Sequence, residues 1–273
     1  MRVERRSRLL LLAGAAVLLT VAGSTVAWVA AADHASADDL LPNLTQAPPD
    51  GLNGRTGGTF AEPRFFLGFE SAAANLGSGP LIVLGTRPDR EQQDMALRQL
   101  IQRSDGSTRT VPLRSTLRYV RSSDHSHWHM LAFMRYELRS NDGTRVQRDR
   151  KTGFCLGDRY RPSIDVLNRE LSARFSDRCG KGAPRLLTIR EGISVGWGDN
   201  YVAHLEGQEF EITKLPAGRY VLVHSVNRSR DLRESDYGDN TASMAFDLSW
   251  PQGRKLPPRI DVVARCPGTP TCP

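Results

Sequence analysis

The chain has 273 residues, of which 39% are hydrophobic and 7% aromatic, and its formal net charge is +7. The first 37 positions hold four arginines and two acidic residues, so the remainder keeps a net charge of +5. Arginines are scattered and aromatic residues are sparse, which argues against a nucleic-acid-binding surface. A solvated basic surface is the simpler interpretation, and it would favour contacts with anionic polymers or acidic proteins.

The N-terminus has the pattern of an export signal. Arginines at positions 2, 5, 6 and 8 precede an uncharged stretch, 9–32, and Ala35-Ser36-Ala37 offers a small-residue cleavage site. We therefore expect residues 1–37 to direct secretion and residues 38–273 to form one extracellular domain. The apolar stretch is also long enough to span a bilayer, so an uncleaved signal anchor, with the domain outside, is the alternative.

The segment after the signal, Asn43 to Gly58, is polar and rich in proline and glycine, which predicts an irregular lead-in on the domain surface. Short apolar or alternating segments bounded by turn residues follow, as is typical of β-strands. Two pairs flank turns that contain Asp-Gly, which predicts two β-hairpins. The predicted strands are 65–69, 80–84, 97–103, 108–113, 131–139, 144–147, 220–226 and 243–248.

No sustained helical period occurs after Ala32. The strand pattern therefore predicts a mainly β fold, with a single antiparallel β-sandwich domain and long irregular loops, preceded by a signal peptide or signal anchor helix. No long Gly/Ser linker or charge block divides the mature part, which favours one domain.

Three histidines stand at alternate positions in the run from Asp124 to Met130, and the rest of the chain contains only three more. On a β-strand, side chains two residues apart project from the same face, so His125, His127 and His129 can share one ion. Imidazole suits copper, zinc, iron or nickel, and three ligands leave positions open for water, dioxygen or substrate. A His-rich surface strand or a closed structural zinc site is the alternative.

Four cysteines allow three pairings, and none of them has the spacing of a zinc ribbon or a thioredoxin-like motif. The loop from Cys266 to Cys272 is short and rich in turn residues, so it closes readily and leaves Cys155 to pair with Cys179. Two structural disulfides agree with the export signal, whereas free buried thiols are the alternative.

The order of these motifs resembles the catalytic domain of the lysyl oxidase family. The His-x-His-x-His strand precedes a short hairpin that ends in Lys-x-x-Phe-Cys-Leu at Lys151, and a glycine-rich segment from Gly196 to Tyr201 follows. The resemblance extends from about Leu41 to Leu248. It is specific because separate motifs agree in order.

The resemblance implies a copper-dependent amine oxidase, with the three histidines as copper ligands. Lys151 and Tyr201 match the precursors of lysine tyrosylquinone, the family's cofactor. The family oxidises primary amines, including peptidyl lysine, to aldehydes and releases ammonia and hydrogen peroxide as dioxygen is consumed. Glu206 stands near the place of the family's aspartate and is the expected proton acceptor.

The acidic segment that begins with Glu234 resembles the family's Glu-Ser-Asp-Tyr loop, which implies a calcium site. Dense oxygen ligands suit calcium on chemical grounds as well, although an exposed acidic turn is the alternative. The implied ligands are Asn43, the carbonyl of Leu44, Glu234, Asp236, Asp239 and Asn240.

Two other functions fit the residues. One is a non-catalytic extracellular β-sandwich that binds copper or calcium for adhesion or metal storage, and the other is a zinc hydrolase that uses the same histidines. Without the family context, Lys151 is most simply a solvent-facing lysine and Tyr201 a core aromatic.

Overall fold

The computed structural model describes residues 37–122, 125–149, 151, 153–205 and 207–273. Positions 1–36 of the export signal predicted for residues 1–37 therefore lie outside the described residues. The described residues form 17 β-strands. These are β1 Asp39–Leu40, β2 Leu44–Gln46, β3 Asp50–Gly58, β4 Pro63–Asn75, β5 Leu81–Thr86, β6 Asp94–Arg103, β7 Thr108–Arg121, β8 Ser126–Leu131, β9 Met134–Ser140, β10 Arg145–Arg148, β11 Gly153–Phe154, β12 Thr188–Ile193, β13 Gly198–Tyr201, β14 Glu209–Glu211, β15 Gly218–Val226, β16 Thr241–Ser249 and β17 Arg259–Cys266.

All of the strand pairs are antiparallel, and the strands divide into three sheets with a curled half-barrel. One sheet has the order β11-β8-β7-β6-β5-β12, with β1 beside β6, and a second has the order β10-β9-β15-β16-β17. The third sheet is built on the long strand β4, which pairs with β3 and β14 through its first half and with β2 and β13 through its second. The predicted antiparallel β class is confirmed. Within the described part of the chain, no helix has the length and hydropathy needed to cross a bilayer.

One large core joins the three sheets. Trp128 of β8, Phe69 of β4, Tyr136 of β9 and Phe246 of β16 are among its fully buried side chains. The ring of Phe69 meets that of Tyr136 edge-on, with 5.0 Å between centroids. Each such side chain contributes roughly 2 to 3 kcal/mol through removal of apolar surface from water. The same core supports the strands that carry the three histidines and Tyr201.

Both predicted hairpins are present. Strands β6 and β7 pair around the turn at Gly106, which has a φ of 81°, and β9 and β10 pair around Gly143, which has a φ of 84°. These positive φ values explain why each turn contains glycine. The predicted strand 131–139 was too long, because Ala132 adopts a φ of 60° and separates β8 from β9.

The lead-in segment is more regular than predicted. Most of 43–58 lies in β2 and β3, which pair with β4. The prediction of an irregular segment was wrong because β4 supplies hydrogen-bonding partners that short-range sequence patterns do not reveal. The irregularity that proline and glycine indicate is seen at residues 47–49, between β2 and β3, and in a register shift between Asp50 and Asn53.

The two predicted disulfides are confirmed. Cys155 pairs with Cys179, with 5.7 Å between their Cα atoms, and Cys266 pairs with Cys272, with 5.6 Å between theirs. The described residues include no free cysteine. The first bond fixes the end of β11 to the long loop that leads to β12.

Candidate metal centre and cofactor site

The three histidines converge on one point at the start of β8. The Nε2 atoms of His127 and His129 lie 2.7 Å apart, and Nδ1 of His125 lies 3.4 Å from Nε2 of His127. All three candidate ligand atoms lie within 4.8 Å of one another. Nitrogen ligands about 2 Å from a shared metal stand roughly 3 Å apart, so this spacing fits a common ion. Within the described part of the chain, this is the one His/Cys/Asp/Glu cluster with such geometry.

The strand alternation explains the convergence. Trp128 lies between two of the histidines and points to the opposite face, where it is fully buried and its Nε1 donates to the carbonyl of Ala183 at 3.1 Å. Its ring also packs edge-on against Tyr119, with 5.5 Å between centroids. Because Trp128 anchors one face of β8 in the core, the other face is held in a fixed orientation.

Two of the imidazoles are held in the neutral form that binds a metal. Burial, helped by neighbouring positive charge, lowers the pKa of His127 to about 4 and that of His129 to about 2. The Nδ1 atom of His129 is buried and has no hydrogen-bond partner among the described residues. Neutral imidazoles are suitable ligands for copper or zinc, so the residues present fit a metal ion.

Strand β11 places Lys151 beside this cluster. Gly153 and Phe154 pair with Leu131 and Met130 of β8. A Cβ atom at Gly153 would lie 2.7 Å from Cβ of His129, so only glycine permits this close approach. The charge of Lys151 also contributes to the lowered pKa of both His127 and His129, as expected of a nearby cation.

Lys151 and Tyr201 lie together in the interior. The Lys151 side chain is only 7% exposed, and its Nζ lies 4.8 Å from the centroid of the Tyr201 ring and 5.1 Å from that of Phe154. Phe154 meets Tyr201 edge-on, with 5.1 Å between centroids. The interpretation of Lys151 as a solvent-facing lysine is wrong, because the side chain packs on two aromatic rings rather than extending into water.

The hydroxyl of Tyr201 is directed towards two acceptors. It lies 2.8 Å from Oδ2 of Asp199 and 3.0 Å from the carbonyl of Cys155. Burial raises the pKa of Tyr201 well above its usual value, and the nearby charge of Asp199 adds to this effect. Sequence reasoning missed Asp199. Its position two residues before Tyr201 in β13 could have indicated it, because such side chains share a face.

The residues of the implied calcium site are largely brought together. Glu234 accepts hydrogen bonds from the backbone N–H of Leu44 at 2.6 Å and from Asn240 at 2.9 Å, and Asp239 accepts one from Asn43 at 3.1 Å. One side-chain oxygen each of Asn43, Asp239 and Asn240 is buried without a partner among the described residues. Asp236 is exposed and accepts a hydrogen bond from the N–H of Gly238 at 2.7 Å.

Comparison with known proteins agrees with this arrangement. The profile described as lysyl oxidase matches residues 87–252, which is more than half of the chain. The chain belongs to the lysyl oxidase family. It is 31% identical over 117 residues to lysyl oxidase homolog 4 of Mus musculus, and these residues cover 42% of this chain and 14% of the relative. It is 32% identical over 117 residues to lysyl oxidase homolog 2 of Gallus gallus, covering 42% and 13%, and 29% identical over 138 residues to lysyl oxidase homolog 2B of Danio rerio, covering 50% and 16%.

The chain therefore matches about one seventh of the length of these lysyl oxidase homologs. Among the site residues that the lysyl oxidase resemblance implies, Glu206 lies outside the described residues. Its neighbour Gly207, with a φ of 78°, packs against the backbone of Lys151, since a Cβ atom there would lie 2.7 Å from Cα of Lys151. Gly207 thus adjoins the lysine.

Proposed function

We propose that this protein is a copper-dependent amine oxidase that uses lysine tyrosylquinone formed from Lys151 and Tyr201. The observation that carries the proposal is the burial of the Lys151 amine against the Tyr201 ring, next to three converging imidazoles. The side chain is buried and packs against two aromatic rings instead of reaching solvent, which favours a chemical role over a surface role. Membership of the lysyl oxidase family supports the same conclusion.

In this proposal, His125, His127 and His129 hold the copper ion. Copper and dioxygen would supply the oxidising equivalents for the cofactor. In the balanced reaction, one tyrosine, one lysine and two dioxygen molecules give the cross-linked quinone, one water and one hydrogen peroxide. The protein supplies position. Phe154 and the β13 backbone fix the tyrosine ring, and the buried Lys151 amine already lies over that ring, so the cross-link needs little rearrangement.

The substrate class in this proposal is a primary amine, including peptidyl lysine, with dioxygen as the second substrate. In the proposed turnover, one primary amine reacts with one dioxygen and one water to give one aldehyde, one ammonia and one hydrogen peroxide. Glu206 is proposed to remove the proton from the carbon next to the substrate nitrogen.

Two disulfides and the predicted export signal support secretion of the enzyme, because disulfides persist in oxidising compartments.

We propose in addition that the cluster around Glu234 and Asp239 binds calcium and fixes the lead-in segment to the domain. Three buried oxygens without partners are unfavourable unless a cation or water satisfies them. Carboxylate and amide oxygens are the ligands that calcium prefers. The proposed ligands remain Asn43, Leu44 through its carbonyl, Glu234, Asp236, Asp239 and Asn240.

The function is tested by peroxide release from copper-loaded, aerobic protein with a panel of primary amines. Lys151→Arg and Tyr201→Phe should each abolish release, whereas Lys214→Arg and Tyr220→Phe, at a lysine and a tyrosine away from the site, should not. Intact release in Lys151→Arg or Tyr201→Phe would exclude the quinone.

Two alternatives give different results in that experiment. A metal-binding module without catalysis would retain copper and release no peroxide with any amine. A zinc hydrolase would carry zinc by elemental analysis and lack a quinone absorption band after copper loading.

A further inference from the structure

Asp199 occupies a position that the proposed chemistry leaves without a role. It lies in β13, two residues before Tyr201, so both side chains point inward from the same face of the strand. The carboxyl is 1% exposed, and its Oδ2 lies 2.8 Å from the Tyr201 hydroxyl. Burial of a carboxyl group is costly, so this contact requires an explanation beyond packing.

The surroundings hold the Asp199 carboxyl in one orientation. It accepts backbone hydrogen bonds from Asn200 and Gly157, and Nε of Arg159 lies 4.0 Å from its Oδ1. Arg159 is itself fixed by a hydrogen bond to the carbonyl of Asp177 at 3.0 Å. The arginine and the amides therefore lie around the carboxyl, while Oδ2 faces the phenol.

We propose that Asp199 is the base that takes the phenolic proton of Tyr201 when this tyrosine is oxidised. This inference rests on the proposed quinone function. The Tyr201 O–H bond breaks, an O–H bond forms on Oδ2 of Asp199, and no electrons are exchanged in this step. The protonated Asp199 then donates a hydrogen bond back to the phenolate oxygen, which keeps the ring in place while copper and dioxygen would oxidise it; the lysine amine would add only to the oxidised ring.

Other nearby groups are less suitable as the base. The carbonyl of Cys155 accepts the same hydroxyl at 3.0 Å but does not take up a proton at ordinary pH. Glu191 is equally buried, yet its Oε2 accepts the N–H of Leu156 at 3.1 Å. The carbonyl and this N–H belong to the same peptide group and point in opposite directions, so Glu191 lies across that peptide from Tyr201.

Burial raises the pKa of Asp199 to about 7, whereas the Tyr201 hydrogen bond and Arg159 oppose this rise. A carboxyl with a pKa near 7 is well matched to accept and release a proton at neutral pH. Its deprotonated fraction increases as the pH rises through about 7, so the rate of quinone formation should rise over the same range.

The experiment follows formation of the Lys151–Tyr201 cross-link, by peptide mass and quinone absorbance, after copper is added to aerobic protein across a pH series. Asp199→Asn keeps a hydrogen-bond acceptor but removes the base, and should slow the reaction at least about 100-fold and remove the rise near pH 7. Glu191→Gln removes an equally buried carboxyl that does not touch Tyr201 and should react like the wild type.

The outcomes separate the two proposals. If the wild type forms the cross-link and Asp199→Asn forms it at the same rate with the same pH profile, Asp199 is not the base and the quinone function stands. If the wild type forms none, the quinone function itself fails. Metal content, measured in parallel, should be equal in both proteins, because the histidines are unchanged.

A second measurement covers the case in which Asp199→Asn does not fold. In copper-free wild type with carbon-labelled tyrosine, the Tyr201 phenolic carbon signal should shift with an inflection near pH 7 as Asp199 titrates. A signal that stays constant through this range would overturn the proposal.

Discussion

The two disulfides should contribute unequally to stability, and the difference follows from the loops that they close. The Cys155–Cys179 bond joins residues 24 positions apart, and the Cys266–Cys272 bond joins residues 6 apart. The entropy of closing these loops in the unfolded chain corresponds to about 3.5 and about 2.3 kcal/mol at 25 °C. Replacing each pair by alanines should therefore lower the free energy of unfolding by about 1 kcal/mol more for the first bond than for the second.

The first bond also lies next to the site. The Cys155 carbonyl accepts the Tyr201 hydroxyl, and the Cys179 carbonyl accepts the N–H of Trp128 at 2.8 Å. Loss of this bond should thus reduce metal affinity as well as stability. Urea denaturation of both double variants and of the wild type measures the difference. Equal losses, or a larger loss for the C-terminal pair, would refute the loop-entropy reasoning.

Three further outcomes are expected. His127→Ala should leave less than one copper per chain by elemental analysis, and full occupancy in this variant would exclude the three-histidine site. His224 is fully buried and its pKa is lowered from 6.5 to about 3, so the unfolded chain binds more protons below pH 6.5 and stability falls as the pH falls towards 3. His224→Leu should remove about 2 kcal/mol of the stability lost between pH 7 and 5, measured by urea denaturation, and an unchanged pH dependence would contradict this. Calcium at about 100 times its Kd should stabilise chelated protein by about 2.7 kcal/mol, seen as a raised melting temperature, and Asp239→Ala should remove this effect. An unchanged wild-type melting temperature would argue against the calcium site.

Much of the fold was predictable from local patterns. The hairpins at Gly106 and Gly143 follow from turn residues between alternating segments, and the disulfides follow from the cysteine count and the short C-terminal loop. Strands β3 and β17 were not predicted. Their side chains are mostly exposed, and they are strands because β4 and β16 offer backbone partners to them. Such long-range pairing leaves little trace in local hydrophobic periodicity.

The candidate site was also only partly predictable, because part of it depends on contacts between residues far apart in the sequence. The period-two histidine run indicates a shared face directly, whereas nothing local predicts that Lys151 is buried against Tyr201, 50 positions along the chain. The resemblance supplied that pair. His224 was missed because it stands in the alternating pattern of β15 at a position that any core residue could occupy. Its burial becomes evident only in the structure, where Phe69 and Tyr136 pack around it with ring centroids 5.0 and 4.4 Å away.

The central claim is that Lys151 and Tyr201 form one cofactor. Peptide mapping by mass spectrometry, after copper loading in air, tests it most directly. The proposed chemistry predicts a single cross-linked species that contains both residues, absent from protein kept free of copper and from His127→Ala. Recovery of separate, unmodified Lys151 and Tyr201 peptides from copper-loaded, aerobic wild type would contradict it.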